Sequence, residues 1–110
     1  MTTKPIYIKT TLDVVCGKWK AVILMELVNG PLRFAELKRK LPQIHHQTLI
    51  KQLKELQEDG LIERKSYAEI PPKVEYKLTS HGESLHHLLH DMAAWGEYHL
   101  SVQKPDRYSS

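Results

Sequence analysis

Residues 45–79 limit the possible folds more than any other part of this 110-residue chain. They read HHQTLIKQLKELQEDG and then LIERKSYAEIPPKVEYKLT. Leu49, Leu53 and Leu56 recur at helical spacing, so 45–58 reads as an amphipathic helix with Gln47, Thr48, Lys51, Gln52 and Lys54 on its outer side. Asp59-Gly60 ends it, and Gly60 suits the left-handed position just past a helix. Two strands are expected next, about 61–68 and 73–78, the second alternating at Val74, Tyr76 and Leu78. Pro71-Pro72 sits between them, where a solvated tip loses nothing from missing backbone donors. A helix with a polar, basic outer face thus runs straight into a two-stranded ribbon.

The flanking sequence supplies more helices. Ile8, Leu12 and Val15 mark one over about 7–16, interrupted by Gly17. KWKAVILMELV, about 18–28, is apolar on most sides and therefore expected to be buried; Asn29-Gly30-Pro31 stops it. A third helix over 33–41 turns Phe34, Leu37 and Leu41 inward and Lys38, Arg39 and Lys40 outward, and Pro42 closes it. A last helix is expected over about 80–102, opened by a capping box from Ser80 to Glu83 or by Thr79 as rival cap. Its apolar face (Leu85, Leu88, Leu89, Met92, Trp95) exceeds what so small a core needs from its terminal helix. With Ile8 and Leu12, that surplus predicts a dimer interface. Residues 1–103 are read as a single domain and 104–110 as a flexible tail.

Charge is distributed unevenly. Residues 33–54 hold six cations against Glu36 alone, whereas 83–99 hold Glu83, Asp91 and Glu97 with no Lys or Arg. A basic middle suits a surface that faces phosphate. Cys16 is the only cysteine, so no disulfide can form within the chain and a reducing cytoplasm is the expected compartment. No basic run precedes a long apolar stretch, and no window reaches 18 uncharged apolar residues, so neither a signal peptide nor a membrane span is expected. No Ser/His/acid set, phosphate-cradling glycine loop or catalytic carboxylate pair stands out, which argues against an enzyme. No cofactor or metal is expected either: His86, His87 and His90 lie close along a helix, but a structural zinc site needs four ligands.

The element order is that of a winged helix-turn-helix: mostly α with a small β-hairpin wing, its N- and C-terminal helices forming the dimer interface. The stretches GKW, GPLRFAEL, LKELQEDGLIER and PPKVEYKLT, in that order, resemble the HxlR-type transcriptional regulators, relatives of the MarR group. The likeness runs from about Leu12 to His99. It implies a cytoplasmic, homodimeric DNA-binding protein that sets the 45–58 helix in the major groove and the ribbon 64–77 as its wing. Two departures stand out. Many members carry Cys-Pro before the first helix, where this chain has Lys4-Pro5; many carry Ser where this chain has His45.

On this reading the base-contact candidates are His45, His46, Gln47, Thr48 and Lys51, since the first turns of such a helix enter the groove deepest. Phosphate candidates are Arg33, Lys38, Arg39, Lys40 and Lys54, and in the wing Arg64, Lys65, Lys73 and Lys77. Glu63, Glu69 and Glu75 leave the wing near neutral, which makes it a secondary contact. Tyr67 and Tyr76 are expected to pack the hairpin on the core. Cys16 has two open readings, a redox sensor or a small buried residue. A redox or small-molecule effector is a candidate partner, with a pocket sought between the first and last helices near Trp19, Met92 and Trp95. The alternative function is a winged helix that docks an acidic protein and binds no operator.

Overall fold

The computed structural model describes residues 4–15 and 17–103. Residues 1–3, Cys16 and the tail 104–110 lie outside them. The first helix, α1 (Lys4–Val15), starts earlier than the expected residue 7. Pro5 explains this, because the first turn of a helix needs no N–H from it and its fixed φ is already helical. Only Val15 of α1 is buried. Thr10 and Thr11 spend their hydroxyls on the carbonyls four residues back, at 3.0 and 3.1 Å.

Gly17 (φ 97°) turns the chain into α2 (Lys20–Glu26), which is shorter than the expected 18–28. Ile23 and Leu24 are completely buried, and Leu27, just past the helix, is nearly so. Next comes an element that the sequence did not announce, the two-residue strand β1 (Leu32–Arg33). Two residues carry no periodicity, and only pairing with distant Tyr76 and Glu75 makes them a strand. The third helix, α3 (Phe34–Lys40), follows directly, with Leu37 buried.

The stripe of Leu49, Leu53 and Leu56 is buried in α4 (His46–Glu58). Burying each such side chain contributes about 1.5–3 kcal/mol. Gly60 (φ 74°) takes the left-handed position beyond this helix. Its N–H donates to the Gln57 carbonyl at 2.9 Å, and the Leu61 N–H donates to the Leu56 carbonyl at 3.0 Å. This is a Schellman closure, and it aims the chain straight into β2 (Ile62–Tyr67). The ribbon is completed by β3 (Lys73–Leu78), and the sheet order β1-β3-β2 is antiparallel throughout. Register sets Ile62 against Leu78 and Arg64 against Tyr76, so the wing is the long arm of a three-stranded sheet.

The single last helix expected over 80–102 is two helices, α5 (Ser80–Glu83) and α6 (His86–Val102). Thr79 is the cap: its hydroxyl accepts from the Gly82 N–H at 3.0 Å and donates to the Gly60 carbonyl at 2.6 Å. The Ser80–Glu83 box does not form, because Thr79 occupies the cap position one residue earlier. Gly82 packs on the Leu61 backbone, and the turn at Ser84 and Leu85 closes with bonds three residues back (Ser84 N to the His81 carbonyl 3.2 Å, Leu85 N to the Gly82 carbonyl 3.0 Å). The break lets α6 follow the core. Leu89 is buried there and Leu85 packs against it. These two dimer candidates therefore belong to the subunit's own core.

Candidate nucleic-acid interface

The inner stripe of α4 fixes what the helix shows outside. His46, Gln47, Lys51 and Lys54 are exposed, and Ile50 joins them at 42% exposure. Thr48 is half-buried. Gln52, expected outside, is half-buried, and its Oε1 is shielded without a hydrogen-bond partner. His45 occupies the N-cap with extended backbone (φ −64°, ψ 147°), but its side chain makes no cap hydrogen bond. The imidazole therefore does not cap α4.

The second candidate histidine is held from behind. The His46 ring meets Phe34 edge-on, with centroids 5.1 Å apart and planes at 73°. Phe34, His46 and Ile50 continue into Arg64, Val74 and Tyr76, and together they line a hollow of about 450 Å3 between α4 and the wing. Sequence reasoning missed Phe34 and Ile50 here. The signal was present: His46, Ile50 and Lys54 follow one another at i+4, off the leucine stripe.

The basic residues of α3 divide. Arg39 and Lys40 are exposed and line a shallow hollow with Glu36. Lys38 was expected to face outward with them and does not. Its Nζ donates to the Ile44 carbonyl at 2.6 Å and is half-buried. That carbonyl lies in the turn just before α4, so Lys38 ties the two helices together. The exposed Arg33 donates its backbone N–H to Glu36 Oε1 at 2.8 Å, which starts α3.

Within the wing, acids neutralise half the cations. Lys77 pairs with Glu63 at 3.4 Å and Lys73 with Glu75 at 3.5 Å. Lys73 and Lys65 also lie over the Tyr67 ring, at 4.6 and 5.1 Å, and the Tyr67 hydroxyl donates to Glu75 Oε1 at 3.1 Å. Arg64 donates to Ser66 Oγ at 3.2 Å and, like Lys65, stays exposed. Tyr76 is a core residue and Tyr67 is half-buried. Behind α4, Lys20 of α2 reaches Glu55 at 2.8 Å. That hydrogen bond is the main reason the Glu55 carboxyl is held below its ordinary range, with lesser help from the charges of Lys20 and Lys51.

Residues 14–104 match the family model described as HxlR-like helix-turn-helix. The chain belongs to this family. YtcD of Bacillus subtilis (strain 168), an HTH-type transcriptional regulator, is 45% identical over 104 residues, spanning 94% of this chain and 82% of its own. The oxidized form of the redox regulator HypR superposes with a TM-score of 0.80 at 41% identity, covering 84% of this chain and 95% of that one. The reduced transcriptional regulator YodB from B. subtilis gives 0.76 at 30% identity, covering 96% and 98%. The chain is thus a transcriptional regulator of the winged helix-turn-helix type and not an enzyme.

Away from the α4 face, the regulator keeps a second surface. Ile8, Leu12, Leu88, Met92 and Trp95 are exposed, Trp95 to 62%. Ile6, Tyr7, Tyr98, Leu100 and Val102, not singled out from sequence, are exposed as well. They lie on α1 and α6. A cleft is present too, but between α2 and α6 rather than α1 and α6. No group of three or more His, Cys, Asp or Glu among the described residues is placed to hold a metal. No helix there is long and apolar enough to cross a membrane.

Proposed function

We propose that this regulator binds a specific duplex operator as a cytoplasmic homodimer, with repression as its default mode. The observation that carries the reading is the outer face of α4, where His46, Gln47, Ile50, Lys51 and Lys54 stand exposed beside a hollow that leads to Arg64. Gln47 and Lys51 supply the base-edge chemistry, bidentate to adenine and donor to guanine respectively. Arg33, Arg39, Lys40, Lys54, Arg64 and Lys65 are the cations available for phosphate. The exposed apolar residues of α1 (Ile6, Tyr7, Ile8, Leu12) and of the outer part of α6 (Trp95, Tyr98, Leu100, Val102) give the surface for a second copy, with Met92 turned to the cleft against α2. A twofold pair of α4 helices demands a pseudo-palindrome with half-sites roughly 10 bp apart or a small multiple of that.

The experiment is binding to DNA from upstream of the regulator's own gene and its neighbours across a salt series. Affinity for one pseudo-palindromic site is expected to fall linearly in log[salt] and to drop on Gln47→Ala or Lys51→Ala. Unchanged occupancy in both variants would favour docking of an acidic protein instead. HypR is named a redox regulator, and a redox effector here would act through Cys16, which lies outside the described residues. With a single cysteine, the product is a disulfide between two chains or an adduct. Loss of binding on diamide that persists in Cys16→Ser would rule out the thiol.

A further inference from the structure

The cleft between α2 and α6 is lined by Ala21, Val22, Met25, Glu26, Leu89, Met92 and Ala93 and measures about 290 Å3. Ala21 and Ala93 leave the space. Met25 and Met92 give it walls that adapt to an irregular occupant. The lining is apolar except at one point, the half-buried Glu26. Among the described residues Glu26 has no ion-pair or hydrogen-bond partner. The neighbouring cations of the same stretch are engaged elsewhere: Lys20 by Glu55, and Lys18 over the Trp19 ring at 5.3 Å. A second hollow, lined by Leu88, Asp91, Met92 and Trp95, shares Met92 with the first and again offers one carboxylate beside apolar surface.

We infer that the α2/α6 cleft is a binding site for a small lipophilic cation: a single ring or short branched chain carrying an ammonium or similar group. The apolar body occupies the space between Met25 and Met92, and the charge faces Glu26. A neutral ligand of the same shape would cover Glu26 and leave its carboxylate dehydrated without compensation. An anion would meet it as a like charge. Asp91, which lines the adjoining hollow that shares Met92, adds a second carboxylate of the same sign. The volume lies at the small end of ligand pockets and fits one ring with its head group.

The regulatory consequence rests on the operator-binding reading above. The helix that forms one wall of the cleft, α2, also carries Lys20, which is bonded to Glu55 of α4 at 2.8 Å. A ligand that displaces α2 therefore acts on the helix proposed to read DNA.

The test uses the full chain with 13C-methyl methionine and three probes: benzyltrimethylammonium, benzyl alcohol and benzoate. The Met25 and Met92 methyl resonances are expected to saturate with the cation at a Kd at least tenfold below that of the alcohol, and not to respond to benzoate. Glu26→Gln is expected to abolish the tenfold preference and leave alcohol binding in place. Val22→Trp, which fills the cleft, is expected to remove both. Equal binding of cation and alcohol would overturn the inference, as would a preference that survives Glu26→Gln. Methyl shifts that follow protein concentration and ignore the probes would overturn it too, by assigning the cleft to a second copy of the chain. These titrations need no DNA, so failure to find an operator leaves them intact.

Discussion

Lys38 separates two roles that a basic residue in a helix-turn-helix can have. Its Nζ lies 2.6 Å from the Ile44 carbonyl and is half-buried. A hydrogen bond from a charged donor contributes about 1.5–3 kcal/mol net, and removing the donor leaves a shielded carbonyl unpaired. Lys38→Met keeps the aliphatic stem and deletes the ammonium. It is expected to lower stability by roughly 1.5–3 kcal/mol, read as a shift of the urea midpoint at unchanged m-value. The same variant in an operator-binding salt series is expected to weaken specific binding more than non-specific binding, because α4 is less firmly set. The slope of log K against log[salt] should change little, since the half-buried ammonium is held at the Ile44 carbonyl and not on the open surface. Arg39→Met is the counter-case: its exposed guanidinium should cost little stability, and its loss should make the slope less negative by about 0.9. A Lys38→Met protein of unaltered stability with a slope reduced like that of Arg39→Met would refute the argument and return Lys38 to the phosphate contacts.

Gly82→Ala should destabilise by about 1–3 kcal/mol in urea unfolding, since a Cβ there would meet the Leu61 carbonyl oxygen far inside contact distance; a gain from helix propensity would contradict the packing. Trp95→Glu places a charge on the exposed apolar face of α6 and should give a monomer by sedimentation with helix content retained, whereas an unaltered mass would move the dimer interface elsewhere. Glu55 has a folded-state pKa held below its unfolded one, chiefly by the Lys20 hydrogen bond, so the pair stabilises above the unfolded carboxylate range and loses its contribution as pH falls through the lowered value. The stability gap between the native chain and Lys20→Met should accordingly be constant near neutrality and close in acid, and a gap that persists in acid would show the lysine acting through its methylenes alone.

How far the sequence could be read depends on how local each cause is. Leu49, Leu53 and Leu56 identify α4 because a helix repeats every 3.6 residues whatever surrounds it, and Gly60 marks its end because few other residues accept φ near 74°. Val74, Tyr76 and Leu78 identify β3 for the matching reason. What escaped depends on distant partners. Strand β1 exists only through Tyr76 and Glu75, more than forty residues on. The break between α5 and α6 comes from Gly82 against Leu61, and Lys38 turns inward because an unpaired carbonyl waits at Ile44. Leu85 and Leu89 look like the surplus residues beside them; only the bend at Ser84 decides that they serve the subunit's own core.

The wing shows why charge totals are a poor guide to reading surfaces. Register sets Glu63 opposite Lys77 and Lys65 opposite Glu75, so the ribbon's charges alternate across its strands. Like charges at those positions would repel and splay a two-stranded arm that has little core of its own, whereas opposite charges hold it. Lys77 pairs across the strands with Glu63 and Lys73 pairs along its own strand with Glu75, which engages half of the wing's cations, while Arg64 and Lys65 stay exposed with no salt-bridge partner among the described residues. No such demand falls on α4, whose outer side needs no cross-strand partner and whose fold is secured by leucines on the other face. On the operator-binding proposal, a nearly neutral wing beside the exposed Lys51 and Lys54 of α4 assigns sequence discrimination to α4 and a positioning role to the wing. The hollow joining them is lined by the His46 ring, which Phe34 meets edge-on, and by Arg64 of the wing, so a change at either helix or ribbon alters the same surface.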